Sequence, residues 1–420
     1  MKVLIVGSGG REHALAWQCA NFNIIEHVFV APGNAGTALE EKISNIQIQS
    51  SESEALIEFA IKEAIDITII GPEAPLVAGI VDDFRAHDLA IFGPTQAASQ
   101  LEGSKVFCKD FLDRNNIPTA FYEVFTEQES AISYVKDKGV PIVIKADGLA
   151  AGKGVIVAKT EQEAIEAIDD MLKGNRFGEA GSRVVIEEFL VGEEASFIVM
   201  VDGKNVSPMA TSQDHKARDN ADKGPNTGGM GAYSPAPVVN PSIFDDVMKN
   251  IIQKTVDAMS AEGSPYTGFL YAGLMINNGK AKVLEYNCRF GDPETQPIMM
   301  RLKSNLAQLC LLAAQGKLDE THIEWDERVS LGVVLAANGY PNDYKKGEKI
   351  IVPADSDDAK IFHAGTKLES NNIVSNGGRV LCATALGSSI QEAQKRAYEL
   401  VDRVDWHGSY YRTDIGFKAL

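Results

Sequence analysis

The feature that most constrains the fold is an alternation of short apolar segments and amphipathic segments at the start of the chain. The segments KVLIVG, HVFVAPG, DITIIGPE and LAIFGPT each end in or near glycine or proline, and helical periodicity fills the stretches between them. Parallel strands joined by helices produce this pattern, so we predict a doubly wound α/β domain over residues 1–104. Ligands of such sheets bind at the carboxyl ends of the strands, where these glycines lie.

The rest of the chain predicts two further units. Residues 105–325 should form two α+β lobes, a small one over about 117–190 and a larger one over about 191–325, and one helix over about 298–315 should close the larger lobe. Residues 326–420 combine strand-like segments with the amphipathic segment SIQEAQKRAYELVDRV and predict a small C-terminal α+β domain. A length of 420 residues is in keeping with about three domains.

The charge balance limits the kinds of partner. Lys and Arg total 40 against 58 Asp and Glu, which gives a formal net charge of −18. A duplex-binding footprint and a polybasic membrane patch are therefore not expected, and we predict neither a nucleic-acid nor a membrane partner. No apolar run approaches a membrane span, and the N-terminal apolar run leads into glycines rather than a cleavage region, so we expect a cytoplasmic protein. The five widely spaced cysteines should be reduced.

The turn LIVGSGGREHA places Gly9, Gly10 and Arg11 between the first strand and the first helix. Free backbone N–H groups and the helix dipole at such a turn favour a phosphate. The turn lacks a dinucleotide fingerprint, because Glu12 occupies the third glycine position of GxGxxG and the second strand has no acidic residue for a ribose. We predict a phosphate-bearing ligand other than NAD, with Asn34 facing the same crevice. A purely structural tight turn is the alternative.

A second glycine-rich segment, VPIVIKADGLAAGKGVIVA, links two predicted strands. Lys145 lies in the first strand, and Lys153 lies between Gly152 and Gly154. The amides of such a hairpin can close over a triphosphate while Lys145 contacts phosphate oxygens. It is not a Walker loop, because GxxxxGK[ST] is absent and the glycines link two strands. A plain glycine-rich hairpin is the alternative.

The segment KVLEYNCRFGDPETQP concentrates charge in a strand-rich context. Strand alternation puts Glu285 and Asn287 on one face, two residues apart, so their oxygens are directed at one point. A hard cation that carries phosphates needs such a site. Arg289, Asp292 and Glu294 continue into the start of a helix.

Three other polar segments are candidates for ligand contact. VVIEEFLVGEEASF has four carboxylates around a short hinge, and solvated glutamates are the alternative there. The segment 213–235 is long, polar and glycine-rich, so it is either a mobile surface loop or a loop that wraps a polar substrate. Near the C-terminus, Gly378 and Arg379 could reach a phosphate, although ordinary strand ends explain that segment equally well.

Together these motifs resemble the ATP-grasp ligases, which hold ATP between two α+β lobes. GSGGREHA, GPNTGGMGAYSP, RFGDPETQ and YRTDIG are more specifically similar to the phosphoribosylamine–glycine ligase family of purine biosynthesis, and the resemblance extends from Lys2 to Gly416. It implies a ligase that joins glycine to 5-phosphoribosylamine through glycyl phosphate and produces glycinamide ribonucleotide, ADP and phosphate. The expected partners are the small molecules ATP, glycine and 5-phosphoribosylamine, and the expected state is a monomer or a weak dimer.

The resemblance also implies roles for individual residues. The implied ATP-binding residues are Lys105, Lys145, Gly148, Gly152, Lys153, Gly154, Glu187, Glu188, Phe189, Leu190 and Glu194. The residues implied to border the aminosugar and the reacting centre are Gly9, Gly10, Arg11, Asn34, Asp214, Arg289 and Asp292. Glu285 and Asn287 would bind Mg²⁺ or Mn²⁺. Catalytic contributions are expected from Lys145, Arg289 and Asp292.

Three other functions are alternatives. A biotin-dependent carboxylase or a related purine carboxylase would share the ATP-grasp lobes, and RFGDPETQ disfavours it. An NAD-dependent dehydrogenase would use the GSGG turn, and Glu12 opposes it. A non-catalytic nucleotide sensor would need no catalytic groups, and the presence of Lys145, Glu285 and Arg289 argues against it.

Overall fold

The computed structural model describes residues 1–149, 154–172 and 182–420. Its N-terminal region is a parallel sheet between helices. The strands are β1 (Lys2–Gly7), β2 (His27–Pro32), β3 (Ile43–Asn45), β4 (Ile67–Ile70) and β5 (Ile91–Phe92). The helices are α1 (Gly10–Ala20), α2 (Ser53–Glu63), α3 (Glu73–Ala78) and α4 (Ile80–Ala86). The strand order β3-β2-β1-β4-β5 puts the topological switch point at the carboxyl end of β1.

The central strand β1 is apolar on both faces. Val3 and Ile5 pack into one hydrophobic core, Leu4 and Val6 pack into another, and all four side chains are inaccessible to solvent. Helices on both sides of a parallel sheet require this pattern. The sequence pattern missed the short strand β3 and most of α3. Its predicted helix over residues 77–88 contains α4 and the end of α3, which are separated at Gly79, where φ is 100°.

The small lobe follows α5 (Gln100–Gly103) and α6 (Lys105–Arg114). Its elements are β6 (Tyr122–Phe125), α7 (Gln128–Lys138), β7 (Ile142–Ala146), β8 (Val155–Ala158), α8 (Glu161–Leu172) and β9 (Val184–Glu188). The sheet has the order β6-β9-β7-β8, and each of its pairs is antiparallel. Ser104 caps α6, since its hydroxyl accepts a hydrogen bond from the Phe107 N–H at 3.1 Å.

The larger lobe is built around a second antiparallel sheet. Its strands are β10 (Glu193–Asp202), β11 (Val206–Pro208), β16 (Thr267–Asn277) and β17 (Lys280–Asn287). Between β11 and β16 the chain forms four strands that belong to other sheets: β12 (Gln213–Asp214), β13 (Ala217–Asp219), β14 (Lys223–Asn226) and β15 (Gly231–Ser234). The helices are α9 (Pro241–Val247), α10 (Lys254–Ala261), α11 (Thr295–Arg301) and α12 (Leu306–Ala314), with a π-helical turn, Met248–Gln253, joining α9 to α10. The lobe's sheet has the order β11-β10-β16-β17. The sequence predicted one helix over about 298–315, but Leu302 has an extended conformation that separates α11 from α12.

The C-terminal region contains a main antiparallel sheet, a three-stranded sheet of the order β19-β22-β21 and one long helix. Its elements are β18 (Val329–Ala337), β19 (Lys349–Ile350), β20 (Ala359–His363), β21 (Thr366–Glu369), β22 (Asn372–Ser375), β23 (Arg379–Gly387), α13 (Ile390–Val401) and β24 (Ser409–Tyr410). Single turns of 3-10 helix occur at Asn220–Asp222, Leu318–Glu320 and Phe417–Ala419. The main sheet has the order β12-β15-β18-β23-β20, so the polar segment 213–235 contributes two strands to it.

Two further observations bear on the sequence expectations. All five cysteines are free and buried, as expected for reduced thiols. Over the described ranges, none of the helices combines the length and the apolar character needed to cross a membrane.

Candidate active site

A cleft of about 470 Å³ lies where the N-terminal region, the two lobes and the C-terminal region meet. The predicted site residues that line it are Arg11, Lys105, Lys145, Gly148, Gly154, Glu187, Glu188, Phe189, Leu190, Glu194, Asp214, Glu285, Asn287, Arg289 and Asp292. The predicted residues Gly9, Gly10 and Asn34 do not line it. Gly152 and Lys153 lie outside the described residues.

Two buried lysines share one buried carboxylate in the part of the cleft formed by the small lobe. The Glu187 carboxylate of β9 lies 2.8 Å from Lys109 Nζ and 2.9 Å from Lys145 Nζ. Burial lowers the pKa of Lys145, but Glu187 and Glu285 outweigh it and raise that pKa above its ordinary value. Lys145 is therefore a cation, and Lys105 at the start of α6 adds a second positive charge to the same wall. Such a wall favours a phosphate group.

The hinge between β9 and β10 lines another part of the cleft. Glu188 is the last residue of β9, Phe189 and Leu190 belong to this hinge, and Glu194 follows it in β10. Glu194 Oε2 lies 2.8 Å from Lys216 Nζ, and both side chains are partly exposed. A partly exposed ion pair is weak, so a ligand could replace either partner at small cost.

Glu285 and Asn287 form a pair of oxygen donors on β17. Both line the cleft from the same face of the strand. No group within the described ranges donates a hydrogen bond to the Glu285 carboxylate or the Asn287 side-chain oxygen. Burial raises the pKa of Glu285, but Lys216 and Lys105, with two further cations, lower it to about 2. An ionised carboxylate and an amide oxygen without protein partners fit a hard divalent cation such as Mg²⁺ or Mn²⁺.

Arg289 is held at the cleft by two carboxylates of the N-terminal region. Its Nε lies 3.1 Å from Glu73 Oε2, and its Nη2 lies 2.8 Å from Glu102 Oε1. The Cys288 N–H donates to Glu102 Oε2 at 2.6 Å and fixes that carboxylate in turn. Burial lowers the pKa of Arg289, but Glu102 and Glu73 raise it above its ordinary value. The guanidinium is therefore charged and fixed in position.

Asp292 is anchored to the C-terminal region by Arg379 of β23. Arg379 Nη1 donates to the backbone oxygens of Asp292 at 2.6 Å and Gly228 at 2.7 Å, and its Nη2 lies 3.5 Å from the Asp292 carboxylate. Gln296 Nε2 donates to Asp292 Oδ1 at 3.0 Å. Burial raises the pKa of Asp292, but Arg379 and Arg11 lower it below its ordinary value. Asp292 is therefore an ionised carboxylate inside the cleft.

Another part of the cleft is acidic. Glu294 is buried, and its Oε1 accepts hydrogen bonds from Ser196 Oγ and Tyr271 OH, both at 2.9 Å. Burial raises the pKa of Asp214 to about 7, with Lys216 opposing this shift and Glu294 adding to it. An ammonium group placed between two carboxylates would relieve their repulsion, so this part of the cleft fits an amine ligand.

The sequence predicted that the backbone N–H groups of the GSGG turn are free to bind a phosphate. In the structure the Glu12 side chain accepts a hydrogen bond from one of them, the Gly9 N–H. The Gly9 N–H donates to Glu12 Oε2 at 2.5 Å, and Arg11 Nε donates to Glu12 Oε1 at 2.6 Å. A Cβ on Gly7 or Gly71 would collide with the Glu12 side chain, so these glycines make room for a carboxylate at the switch point. In this conformation the Gly9 N–H is not available to a phosphate, which also opposes binding of a dinucleotide.

Asn34 touches the GSGG turn but has no free polar atom to offer a ligand. Its Nδ2 donates to the carbonyl oxygens of Ser8 at 2.9 Å and His363 at 2.8 Å. Its Oδ1 accepts from the N–H groups of Gly36 at 2.8 Å and Thr37 at 3.1 Å. The side chain therefore joins the N-terminal region to β20 of the C-terminal region.

Replacing Asn34 by alanine should lower the free energy of unfolding by about 2–4 kcal/mol, because buried carbonyl and N–H groups lose their partners. Denaturant unfolding of the variant measures this. The matched control is Asn342→Ala, at an exposed position, which should change stability little. A loss of activity without loss of stability would instead assign Asn34 to a ligand, as the sequence prediction had it.

Several residues that line or support the cleft were not among the sequence-predicted site residues. They are Glu73, Glu102, Lys109, Lys216, Glu294, Tyr271 and Arg379. A signal existed for Glu73, which follows a parallel strand at its carboxyl end, and for Lys109, four residues after Lys105 on one helix. Arg379 was noted as a candidate near a phosphate. No local pattern distinguishes Glu102 or Tyr271 from ordinary core-facing residues.

Family models match the chain in three consecutive stretches. They are described as the phosphoribosylglycinamide synthetase N domain over residues 1–102, the ATP-grasp (A) domain over 103–295 and the C domain over 330–418. The phosphoribosylamine–glycine ligase of Vibrio cholerae is 64% identical to this chain, and the alignment covers 100% of this chain and 99% of the relative. The protein of that name from Haemophilus influenzae is 62% identical with the same coverage.

Solved structures show the same relationship. A phosphoribosylamine–glycine ligase from Thermotoga maritima superposes with a TM-score of 0.86 at 35% identity and covers 99% of this chain and 100% of its own. The biotin carboxylase domain of a 2-oxoglutarate carboxylase from Hydrogenobacter thermophilus has a TM-score of 0.74 at 15% identity, with 98% and 91% covered, and shares the fold alone. These matches confirm the predicted fold class: an N-terminal doubly wound domain, a two-lobed ATP-grasp domain and a small C-terminal α+β domain.

Proposed function

The chain belongs to the phosphoribosylglycinamide synthetase family, and from its site we infer that it is an ATP-dependent ligase that joins glycine to 5-phosphoribosylamine. The products are glycinamide ribonucleotide, ADP and phosphate, so the reaction is a step of purine biosynthesis. The observation that carries this inference is one cleft in which Lys145, Arg289 and the side-chain oxygens of Glu285 and Asn287 adjoin an acidic part at Asp214. The ligase that the sequence resemblance implied is confirmed by full-length relatives of that name, which are 62–64% identical to this chain.

We propose that ATP lies between the two lobes. The hinge residues 187–190 would receive the adenine through backbone groups, and Glu194 would reach the ribose hydroxyls after its pair with Lys216 opens. Lys105 and Lys145 would contact the phosphates, with Gly148 and Gly154 beside them. The positive wall and the partly exposed Glu194 support this placement.

We propose that Glu285 and Asn287 hold Mg²⁺ or Mn²⁺. A bound divalent ion would neutralise part of the charge on the phosphates of ATP. The Glu285 carboxylate supports this assignment, because it is ionised and accepts no hydrogen bond from the described residues, and burial would otherwise disfavour its charge.

The residues fit activation of a carboxylate by phosphoryl transfer. A carboxylate is a poor acyl donor, so the carboxylate of glycine would attack the γ-phosphorus to form glycyl phosphate and ADP. The amine of phosphoribosylamine would then attack the glycyl carbonyl, lose a proton and displace phosphate. Phosphoryl transfer depends on positioning and charge neutralisation, and the fixed cations Lys145 and Arg289 provide both. Asp292, Arg11 and the turn at Gly9 and Gly10 would border the aminosugar.

We further propose that the ionised Asp214 binds the ammonium group of glycine. Burial raises the pKa of Asp214 to about 7, so the carboxyl group is half protonated at that pH. At lower pH more of it is neutral and would attract the ammonium group less. The kcat/KM for glycine should therefore rise about tenfold per pH unit below the pKa and level off above it. Asp214→Asn should lower kcat/KM and abolish this rise, and a pH profile that is unchanged in the variant would contradict the assignment.

The test of the function itself is an ADP-release assay with ATP, Mg²⁺, glycine and freshly made phosphoribosylamine. We expect ADP release that depends on both glycine and phosphoribosylamine. Release driven by bicarbonate instead would point to a carboxylase and contradict the proposal.

Three coarser expectations complete the proposal. We propose that the chain acts on small molecules as a monomer or weak dimer, which light scattering would test. Its free buried cysteines support a reducing compartment such as the cytoplasm. We also propose domain boundaries near residues 104 and 325, which limited proteolysis would test.

A further inference from the structure

The last residues of the chain lie against the segment that carries Asp214 and Lys216. We propose that the C-terminal segment, residues 410–418, is a positioning element of the active site and that Arg412 is its central residue. This proposal rests on the proposed function, because Asp214 and Lys216 line the cleft assigned to the ligase reaction.

Arg412 is fully buried and donates hydrogen bonds to the segment that follows Asp214 and Lys216. Its Nη1 donates to the Ala217 carbonyl oxygen at 3.1 Å and to Asp222 Oδ1 at 2.8 Å. Its Nε and Nη2 form a two-bond pair with Asp414 at 2.8 and 2.9 Å. A buried guanidinium is tolerated only when its donors are satisfied, so the local fold is organised around these bonds.

His215 connects the C-terminal segment to the cleft residues on either side of it. The Gly416 N–H donates to His215 Nε2 at 2.9 Å, and the His215 ring is fully buried. Burial lowers the pKa of His215, although Asp222 opposes this, so the neutral ring can accept that bond. Neighbouring side chains in an extended segment point in opposite directions. Because the His215 side chain points toward the C-terminal segment, the side chains of Asp214 and Lys216 point toward the cleft.

The β13–β14 hairpin, which follows Lys216, also depends on contacts with the C-terminal segment. The hairpin of β13 and β14 is a two-stranded sheet that pairs with no other strand among the described residues, and β14 is exposed along its length. A two-stranded hairpin is marginally stable alone. Bonds from the C-terminal segment support it: Tyr410 OH donates to Asp219 Oδ1 at 2.7 Å, the Ala221 N–H donates to Asp414 Oδ2 at 2.7 Å, and Lys418 Nζ lies 2.8 Å from Asp222 Oδ2.

The pH dependence of glycine use reports the position of Asp214. The charged groups that face it are Lys216 of its own segment, Glu194 of β10, Glu294 before α11 and Lys418 of the C-terminal segment. If the segment moves outward, Asp214 becomes hydrated, and its pKa should fall from about 7 toward the ordinary value near 4. The midpoint of the kcat/KM profile for glycine should then move to lower pH.

The test compares Arg412→Met with the control Arg396→Met, which removes a partly exposed arginine of α13 that pairs with Asp358 and Glu392. We expect Arg412→Met to lower kcat/KM for glycine about tenfold or more, to move the profile midpoint down, and to change the KM for ATP less than about threefold. Arg412→Lys should recover part of the loss, and the control should match the unchanged protein.

A second pair of variants applies if Arg412→Met does not fold. His215→Gln keeps an acceptor for the Gly416 N–H and should preserve the pH profile, whereas His215→Leu removes it and should move the midpoint down. An unchanged midpoint and glycine KM in Arg412→Met, or in His215→Leu where Arg412→Met is unfolded, would overturn the proposal. A parallel loss for all three substrates with a lower Tm would overturn it too, in favour of a purely structural role. If the unchanged protein shows no glycine-dependent ADP release, the proposed function has failed instead.

Discussion

Replacing Glu285 by alanine should lower kcat by roughly 100-fold while the protein stays folded. The carboxylate is ionised, with its pKa lowered to about 2 by Lys216, Lys105 and two further cations against the effect of burial. We assign that negative charge to a divalent ion, so its loss should weaken ion binding more than it disturbs packing. Titration of activity with Mg²⁺ should show that the variant needs a higher concentration for half-maximal turnover.

The matched control is Lys280→Ala at the exposed start of the same strand, which should leave both turnover and the Mg²⁺ requirement unchanged. Circular dichroism and thermal melting would establish that the Glu285 variant folds. An Mg²⁺ dependence identical to that of the unchanged protein would refute the metal assignment, even if turnover fell.

Replacing Arg289 by methionine should lower kcat by roughly 100- to 1000-fold and raise the KM for ATP much less. The reason is that Glu73 and Glu102 hold this guanidinium in place, so it can stabilise charge that develops during phosphoryl transfer. Steady-state kinetics with each substrate varied in turn separates the two effects. A pure KM effect would count against a role in the transition state.

The same substitution should also destabilise the fold, by about 3–5 kcal/mol near neutral pH, since it removes the cation that pairs with the buried Glu102 carboxylate. Burial already raises the pKa of Glu102, and Arg289 is the group that most strongly opposes that rise. Without Arg289 the folded-state pKa of Glu102 should rise further above its unfolded value, so the folded form binds the proton more tightly. The loss of stability should therefore be small at pH below about 4 and should grow as the pH rises through the folded-state pKa.

Denaturant unfolding of Arg289→Met at several pH values checks this dependence. The control is Arg114→Met, whose ion pair with Glu262 is at the surface and should contribute little. A destabilisation that does not vary with pH would mean that the carboxylates find other partners or water.

The elements of the fold that the sequence predicted correctly are those with strong local patterns. The strand KVLIVG became β1 with its predicted bounds, because six residues of apolar sequence followed by glycine have few other solutions in a sheet buried on both faces. The split at Gly79 and the break at Leu302 were missed, because helical periodicity continues through a local backbone change.

The polar segment 213–235 shows the limit of local patterns more clearly. Its composition predicted a mobile loop or a loop around a substrate. Asp214 and Thr227 of this segment do line the cleft, but β15 also pairs with β18 from Gly231↔Val333 to Ser234↔Ser330. A strand partner 96 to 102 residues away along the chain leaves no mark on the local sequence. Only the assembled sheet could show that this segment is part of the C-terminal region.

The sequence by itself determined the family and the reaction, and it predicted roles for Lys145, Glu285, Asn287 and Arg289, which lie in segments with a specific local order. The tertiary structure alone decided how those groups are held. Glu73 pairs with Arg289, which is 216 residues away along the chain. Asn34 donates a hydrogen bond to the His363 carbonyl oxygen, and Arg412 donates hydrogen bonds to Ala217 and Asp222. The physical reason is that a side chain's charge and hydrogen-bonding capacity are local properties, whereas its partner is set by which distant elements pack together.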